Sequence, residues 1–382
     1  MKAMEPRNEE ELANIVAGAS APMRIEGGGT RPIGHVTDAP VLSTRGLSGI
    51  TLYEPGALTL VAQAGTPLAE AEAALAAEGQ RLAFEPMDHR ALLGTSGAPT
   101  LGGMVAANVS GPRRIQVGAC RDSLLGVRFV DGRGQVIRNG GRVMKNVTGY
   151  DLVKLMAGSY GTLGVLTEVA LKVLPIPAAT GVLLFEGLSD ERAVSALSRA
   201  LRSPFEVTGA AHTQKGLDGA PVTMIRLEGS EASVAYRADR LTAELSEFGS
   251  CALETDPENT KAGWTWVRDV APFHGRDGTV WRLSVKPTEA PAIVAALTGA
   301  EALYDWGGGL IWLFCPAGCG VDGRRIRAAL AEHSGGHATL IRGDDPHPFQ
   351  PLAEPLQTLQ TGLRARFDPR GLFNPGRMGQ AA

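Results

Sequence analysis

Three glycine-rich segments constrain this chain more than any other feature: Glu26-Gly27-Gly28-Gly29-Thr30, Pro99-Thr100-Leu101-Gly102-Gly103-Met104 and Gly158-Ser159-Tyr160-Gly161-Thr162-Leu163-Gly164. Glycine reaches positive φ and, lacking a Cβ, lets backbone N–H groups close on an anion. An N–H bond to a charged oxygen contributes about 1.5–3 kcal/mol, so a handful of them spread over two loops could hold a pyrophosphate without a lysine. Three separate cradles imply one long, phosphate-containing ligand. The usual nucleotide fingerprints do not fit. Gly27-x-Gly29 meets Pro32 where a dinucleotide motif needs glycine, no P-loop lysine is present, and the third segment follows a helical stretch and precedes a strand, the reverse of the Rossmann order. NAD on a doubly wound sheet is therefore disfavoured.

Length and charge set the outer bounds. A chain of 382 residues is expected to hold two domains, and with 37 Lys+Arg against 40 Asp+Glu, a net charge of −3, nothing points to nucleic acid or an anionic membrane surface as a partner. The segment Met1 to Ala13 is charged, without the apolar core of a leader, and no apolar run approaches the roughly 18 residues that span a bilayer. The chain is expected in the cytoplasm, reaching a membrane only through a complex and with no direct membrane insertion. Cys120, Cys251, Cys315 and Cys319 are too scattered for a disulfide framework and read as reduced thiols. Cys315-Pro316-Ala317-Gly318-Cys319 offers one pair with no second cluster to complete four ligands, so it reads as the end of a buried strand and no metal site is expected.

The pattern of elements is α+β. Asn8-x-x-Glu11 reads as a capping box, Met23 to Glu26 as a strand entering the first glycine turn, and Thr66 as the cap of a helix with Pro67 in its first turn and Gly79 at its end. Leu124 to Val130 and Gly134 to Arg138 flank a hairpin turn at Asp131-Gly132. A short helix, Asp151 to Met156, feeds a strand from Leu163 to Leu174, and Pro175-Ile176-Pro177 marks a boundary. Beyond it the chain reads strand Val182 to Phe185, helix Ser189 to Leu201, strand Val222 to Leu227 and helix Glu231 to Phe248. A similar series follows: strand Val280 to Val285, helix Ala290 to Leu297, strand Leu310 to Phe314 and helix Arg324 to His333. The similarity between the two series is too weak to establish a repeat. A last helix, about Leu352 to Phe367, leads into a turn-rich tail.

Six motifs in order resemble the FAD-binding fold of the vanillyl-alcohol oxidase and p-cresol methylhydroxylase (PCMH-type) superfamily, and within it the FAD-binding subunits of bacterial glycolate oxidase. They are Gly27 to Thr30, Thr100 to Arg114, Gly118-x-x-Arg121-Asp122-x-Leu124-Leu125-Gly126, Lys145-Asn146-Val147-Thr148-Gly149-Tyr150-Asp151-Leu152, Gly158 to Glu168, and Phe373-Asn374-Pro375-Gly376-Arg377-Met378. The resemblance implies a PCMH-type FAD-binding domain of two α+β subdomains over 1–176, a second α+β domain of the FAD-linked oxidase C-terminal type over 177–350, and a helix and tail over 351–382 returning to the flavin. It implies that Gly27, Gly28, Gly29, Thr30, Thr100, Leu101, Gly102, Gly103, Ala106 and Ala107 wrap the FAD pyrophosphate. Gly161, Gly164, Val165, Arg121 and Asp122 are then expected near the ribityl and adenosine parts, and Asn374 at the isoalloxazine. Read alone, Gly27 to Gly29 and Asn374 to Gly376 are turns, and Arg121-Asp122 is equally a surface ion pair. Where some members tether the flavin through a histidine in the first loop, this chain has Gly29-Thr30, with His35 beyond Pro32, so FAD is expected to be noncovalent.

Flavin oxidation of a 2-hydroxy acid needs cations for the carboxylate and a base for the hydroxyl proton. Arg268 in Trp264-Thr265-Trp266-Val267-Arg268 and Arg282 in Trp281-Arg282-Leu283 resemble the carboxylate binders of catalytic relatives, although an arginine beside tryptophan often only stacks on it. The metal-binding histidine motifs of those relatives are missing, and His333, His337 and His347 read as surface residues. The resemblance thus implies an FAD-binding subunit that oxidises glycolate to glyoxylate only with a catalytic flavoprotein subunit and an iron–sulfur subunit. A self-sufficient dehydrogenase of a small 2-hydroxy acid, glycolate or D-lactate, and an FAD-containing assembly subunit without chemistry remain as alternatives. A peptidoglycan-precursor reductase sharing the flavin fold is disfavoured by the Asn-Pro-Gly-Arg tail.

Overall fold

Asn8 opens the first helix, Glu9–Gly18, as its spacing predicts: its side chain accepts the Glu11 N–H at 2.8 Å. A computed structural model describes residues 3–142 and 149–379, so the Lys145 to Thr148 part of the fourth motif lies outside the described residues. Strands Arg24–Glu26 (β1) and Val41–Ser43 (β2) pair in parallel. Ile50–Glu54 (β3) and Thr59–Gln63 (β4) follow. Thr66 does not cap the next helix. Its hydroxyl donates to Gln63 O at 2.7 Å and accepts the Gly49 N–H, while the helix Leu68–Ala77 begins from Pro67 and its Leu68 N–H goes to Pro99 O at 2.7 Å. A long-range backbone acceptor has replaced the local cap.

After the short strand Gln80–Arg81 (β5), the hairpin Leu124–Val130 (β6) and Val136–Gly140 (β7) turns at Asp131, whose Oδ1 accepts the N–H groups of Arg133 and Gln135, both at 2.9 Å. Val165–Lys172 (β8) completes an antiparallel sheet in the order β3-β4-β8-β6-β7, and Leu174–Pro175 (β9) pairs with β5.

The remaining strands form one eight-stranded sheet: Ala179–Glu186 (β10), Gly209–Thr213 (β11), Val222–Gly229 (β12), Ala252–Glu254 (β13), Gly278–Ser284 (β14), Glu301–Asp305 (β15), Leu310–Pro316 (β16) and His337–Arg342 (β17). The order is β13-β10-β12-β11-β15-β16-β14-β17. The structure thus shows a repeat that the sequence leaves unresolved. Each half of the sheet is a strand-helix-strand-strand-helix-strand unit with its fourth, first, third and second strands side by side, and the second strands, β11 and β15, join the units edge to edge. Cys315 is buried at the end of β16, where the sequence places it.

Alternation along these strands decides what faces the first half of the chain. On β14 and β16, Trp281, Leu283, Ile311 and Leu313 pack under the helices Ala290–Ala296 and Gly323–Ala331. The intervening Val280, Leu310, Trp312 and Phe314 join the core of the first half. That same alternation sends Arg226 and Glu228 of β12, Arg282 of β14 and Asp305 of β15 off the helix-covered face.

Candidate functional site

The tail brings the glycine segments together. Met23 N–H bonds Leu372 O at 2.7 Å, which lays the tail beside β1, and Asn374 then reaches across: its Oδ1 accepts the Ile25 N–H at 2.9 Å and its Nδ2 donates to Tyr160 O at 2.8 Å. The first and third glycine segments are held by that one amide. The second is held by contact, since a Cβ on Gly28 would lie 1.6 Å from Ala98 O and one on Gly27 would lie 2.2 Å from Thr100 Oγ1. The result is a pocket lined by Gly27 to Arg31, by Thr100, Gly102, Gly103, Ala106 and Ala107, and by Tyr160, Gly161 and Gly164.

The three segments contribute unequally. No backbone N–H of Gly27 to Thr30 donates to another described group, and Gly29 sits at φ 67°, so this turn is a set of free donors suited to a phosphate. The second segment is different. Gly102 N–H donates to Ala64 O at 2.7 Å, Leu101 N–H to Thr66 O at 3.0 Å, and Gly103 N–H to Thr100 Oγ1 at 3.2 Å. The helix Leu101–Ala106 therefore offers a small-residue wall in place of the expected donors, and Gly102 is glycine because a Cβ would stand 2.7 Å from that of Ala64.

Several expected site residues do not line this pocket. Leu101 and Val165 are fully buried core side chains. Arg121 and Asp122 form a half-exposed pair at 3.8 Å, and Asp122 accepts the Ala119 N–H to cap the turn Cys120–Ser123. Asn374 is a backbone clamp whose amide is already satisfied. Arg268 lies in the last turn of the helix Pro257–Arg268, with its guanidinium on Asp269 at 2.7 and 2.8 Å. It lines a separate groove with Trp264 and Arg226.

Arg282 sits at the meeting of the two halves of the chain, 5.2 Å from the ring of Trp306, and Arg114 approaches the same ring at 4.6 Å. Burial, reinforced by Arg114, pushes Arg282 down to about 10. Arg31, which lines the pocket and donates to Gly103 O at 3.2 Å, is also pushed down to about 10 by burial. Tyr160 links the two places: it lines the pocket, burial raises its phenol, and the charges of Arg282, Arg377 and Arg31 act on it. His89 is buried with Nδ1 3.3 Å from Met87 O, and burial followed by the Arg31 charge pushes it down to about 3, a neutral imidazole.

Sequence reasoning missed Arg31, Arg114, Tyr160, Trp306 and Arg377. Three of them lay inside quoted motifs: Tyr160 in the third glycine segment, Arg114 at the end of the second motif and Arg377 in the tail. Arg31 directly follows the first cradle, a signal for an anion site. Trp306 has a local signal only in the glycines that follow it, Asp305-Trp306-Gly307-Gly308.

The three glycine segments close one pocket on this α+β frame, and comparison with known proteins places the chain in a family. The family described as FAD binding domain matches residues 2–140. The chain is 38% identical over 370 residues to the glycolate oxidase subunit GlcE of Escherichia coli (strain K12), covering 96% of this chain and 95% of that protein. It is 26% identical to the glycolate oxidase subunit GlcD of Bacillus subtilis (strain 168), covering 98% and 87%. It is 28% identical to the mitochondrial D-2-hydroxyglutarate dehydrogenase of Bos taurus, covering 98% and 76%. A solved structure of alkyldihydroxyacetonephosphate synthase shares the fold with a TM-score of 0.70 at 18% identity, covering 97% of this chain and 76% of its own. The chain belongs to the family of FAD-dependent oxidoreductases that includes the glycolate oxidase subunit GlcE. Its cofactor is FAD.

Proposed function

We propose that this chain is the FAD-carrying subunit of a glycolate-oxidising complex, converting glycolate to glyoxylate with a catalytic flavoprotein subunit and an iron–sulfur subunit. The near-full-length similarity to GlcE carries the reading. Residues 1–176 bind FAD, 177–350 cover it, and 351–382 return to it. Bound FAD supplies a two-electron acceptor. The free N–H groups of Gly27 to Thr30 would hold its pyrophosphate, and Gly102, Gly103, Ala106 and Ala107 would let it pack closely. Gly161 and Gly164 would line its remaining length, and Arg282 would meet the substrate carboxylate. The attachment is noncovalent, because the tethering place holds Gly29-Thr30 and His35 is exposed, with Nε2 3.2 Å from Pro346 O.

General-base help of typically 10²–10⁴-fold needs a positioned base, and the motifs that supply it in catalytic relatives are missing here. The isolated, FAD-loaded chain mixed anaerobically with glycolate is therefore expected to keep its flavin absorbance for minutes. Purification with this chain as bait is expected to recover flavoprotein and iron–sulfur partners with glycolate dehydrogenase activity. Rapid bleaching of the isolated chain would favour the second reading, a self-sufficient dehydrogenase, for which Arg282, whose charge acts on Tyr160, speaks. Dithionite-reduced flavin that the partners fail to reoxidise would favour an assembly role.

A further inference from the structure

A second groove lies apart from the cofactor pocket and shares none of its lining residues. It encloses about 820 Å³, within the roughly 300–1,000 Å³ typical of small-molecule sites. Three parts of the chain build it: Arg81 and Glu85 from the first half, the Ile176 to Thr180 segment that joins the halves, and the second half, chiefly the helix Pro257–Arg268. Its walls are mainly apolar, with Ile176, Pro177, Val234, Leu253 and Trp264 among them. Charge does not recruit a ligand here. Arg226 is held by Glu85, Arg81 Nη1 donates to Glu228 at 3.0 Å, and Arg268 is held by Asp269. The rim adds one charge of each sign, Lys261 and Glu231, both exposed.

Two donors are left over. Trp264 Nε1 and Arg81 Nε are buried N–H groups with no hydrogen-bond partner among the described residues, and both side chains line the groove. Trp264 is 4% exposed and its ring is fixed on two sides. The Arg226 guanidinium lies 4.4 Å from the ring, and a Cβ on Gly209 would stand 2.6 Å from Cη2. The six-membered end of the indole is thus driven against β11, and the nitrogen-bearing end is turned back toward the groove. A buried donor without an acceptor is destabilising, and native structures leave few of them without a reason. A neutral oxygen acceptor satisfies both donors without disturbing the ion pairs around them, whereas an anion would compete with carboxylates already in place.

We propose that this groove is a second ligand site, for a neutral, largely apolar molecule carrying a carbonyl oxygen. The oxygen accepts from Trp264 Nε1 and Arg81 Nε, one on each lone pair, while the body of the molecule lies along Ile176, Pro177 and Leu253. Small 2-hydroxy acids, with a full charge and little apolar surface, do not fit it. The site is therefore separate from any that meets the substrate, and it stands whether or not this chain works as a subunit.

The FAD-loaded chain is titrated by calorimetry with benzophenone and with diphenylmethane, which has the same two rings and no carbonyl. One benzophenone per chain is expected, bound about tenfold or more tightly than diphenylmethane, the gain from a hydrogen bond to otherwise unpaired donors. Flavin content and the flavin spectrum stay unchanged, and glycolate does not compete. Irradiation of the benzophenone complex is expected to leave the label on Ile176 to Thr180 or on Pro257 to Trp264. Trp264→Phe keeps an aromatic ring and removes the N–H, and Arg81→Lys keeps a cation on Glu228 and removes Nε; each is expected to narrow the difference between the two probes. Equal affinity of the wild-type chain for both probes overturns the proposal, because water then satisfies the donors, and that comparison needs no variant. No binding of benzophenone, a label confined to the cofactor pocket, or a probe difference that survives in both variants overturns it as well.

Discussion

Arg113 and Arg114 are neighbours at the start of one short helix, and they enter opposite kinds of environment. Arg113 meets Glu228 of β12, which is also paired with Arg81 at 3.0 Å and lies beside Arg226, itself bound to Glu85. Three arginines there share two carboxylates across the junction of the halves. Burial alone would raise Glu228, but Arg226, Arg81 and Arg113 together hold it at about 2. Arg114, one position on, turns toward Trp306 and Arg282, where neither guanidinium hydrogen-bonds a carboxylate among the described residues and Asp305 is the nearby acid. The first cluster joins the halves of the molecule. The second leaves charge uncompensated at the same junction, which is what a ligand site requires and a structural contact avoids.

The comparison breaks most visibly in stability, where the two clusters are expected to respond with different signs. Arg226→Ala leaves Glu85 without its partner and removes one of the cations around Glu228, and breaking such a buried pair costs about 3–5 kcal/mol. A clear drop in the urea midpoint is expected. Arg114→Gln and Arg282→Gln remove charges that hydrogen-bond no carboxylate among the described residues, so the midpoint is expected to hold or to rise slightly, by about 1 kcal/mol at most. Equal losses in both sets of variants would show that the Trp306 cluster is also a structural contact.

Acidity separates the clusters next. Glu228, lowered from 4.5 to about 2, contributes stability that is present above pH 4.5 and lost as pH falls through 2. Asp305 is raised from 3.8 to about 7, so the folded state holds its proton while the unfolded state releases it. Its contribution runs the other way: stability declines as pH rises from about 4 to 7 and the full penalty is present above 7. Thermal unfolding of wild type and Asp305→Asn between pH 4 and 8 is expected to show a gap in favour of the variant that widens toward pH 7. A constant gap would remove Asp305 as the ionising group.

How much of this could be read from the sequence depends on the range of the interactions. The first cradle was legible because consecutive glycines state a backbone requirement locally. The second was legible as a place and misread as a donor set, because its N–H groups turn to Ala64, Thr66 and Thr100, acceptors that only the fold supplies. In the eight-stranded sheet, β10, β12, β14 and β16 were legible as apolar runs. The repeat stayed unestablished because several of its other strands carry weak signals: Gly209–Thr213 is short and buried throughout, Ala252–Glu254 is a three-residue edge, and Glu301–Asp305 begins and ends in acid. Trp306 meets Gly111 across 195 positions, a contact that periodicity does not encode.

The smallest effect tests the reading of the two arginines that sequence alone treats alike, each following a tryptophan by one or two positions. The structure separates them by element and by partner. Arg282 stands on a strand whose alternation turns it away from the helices that cover the sheet, and it hydrogen-bonds no carboxylate among the described residues. Arg268 closes a helix, and the next residue in the chain, Asp269, takes its guanidinium on both oxygens. A carboxylate already bound to a guanidinium must be displaced before a ligand can use that guanidinium, and this partly buried pair between chain neighbours contributes about 1 kcal/mol to stability. Arg268→Gln is therefore expected to shift the unfolding midpoint by no more than that, to keep full flavin content, and to leave oxalate affinity within a factor of about two, against the tenfold or greater loss expected for Arg282→Gln. A loss of oxalate affinity in Arg268→Gln comparable to that in Arg282→Gln would mean that Asp269 releases Arg268 when the ligand arrives, and the division between paired and unpaired arginines would no longer mark the site.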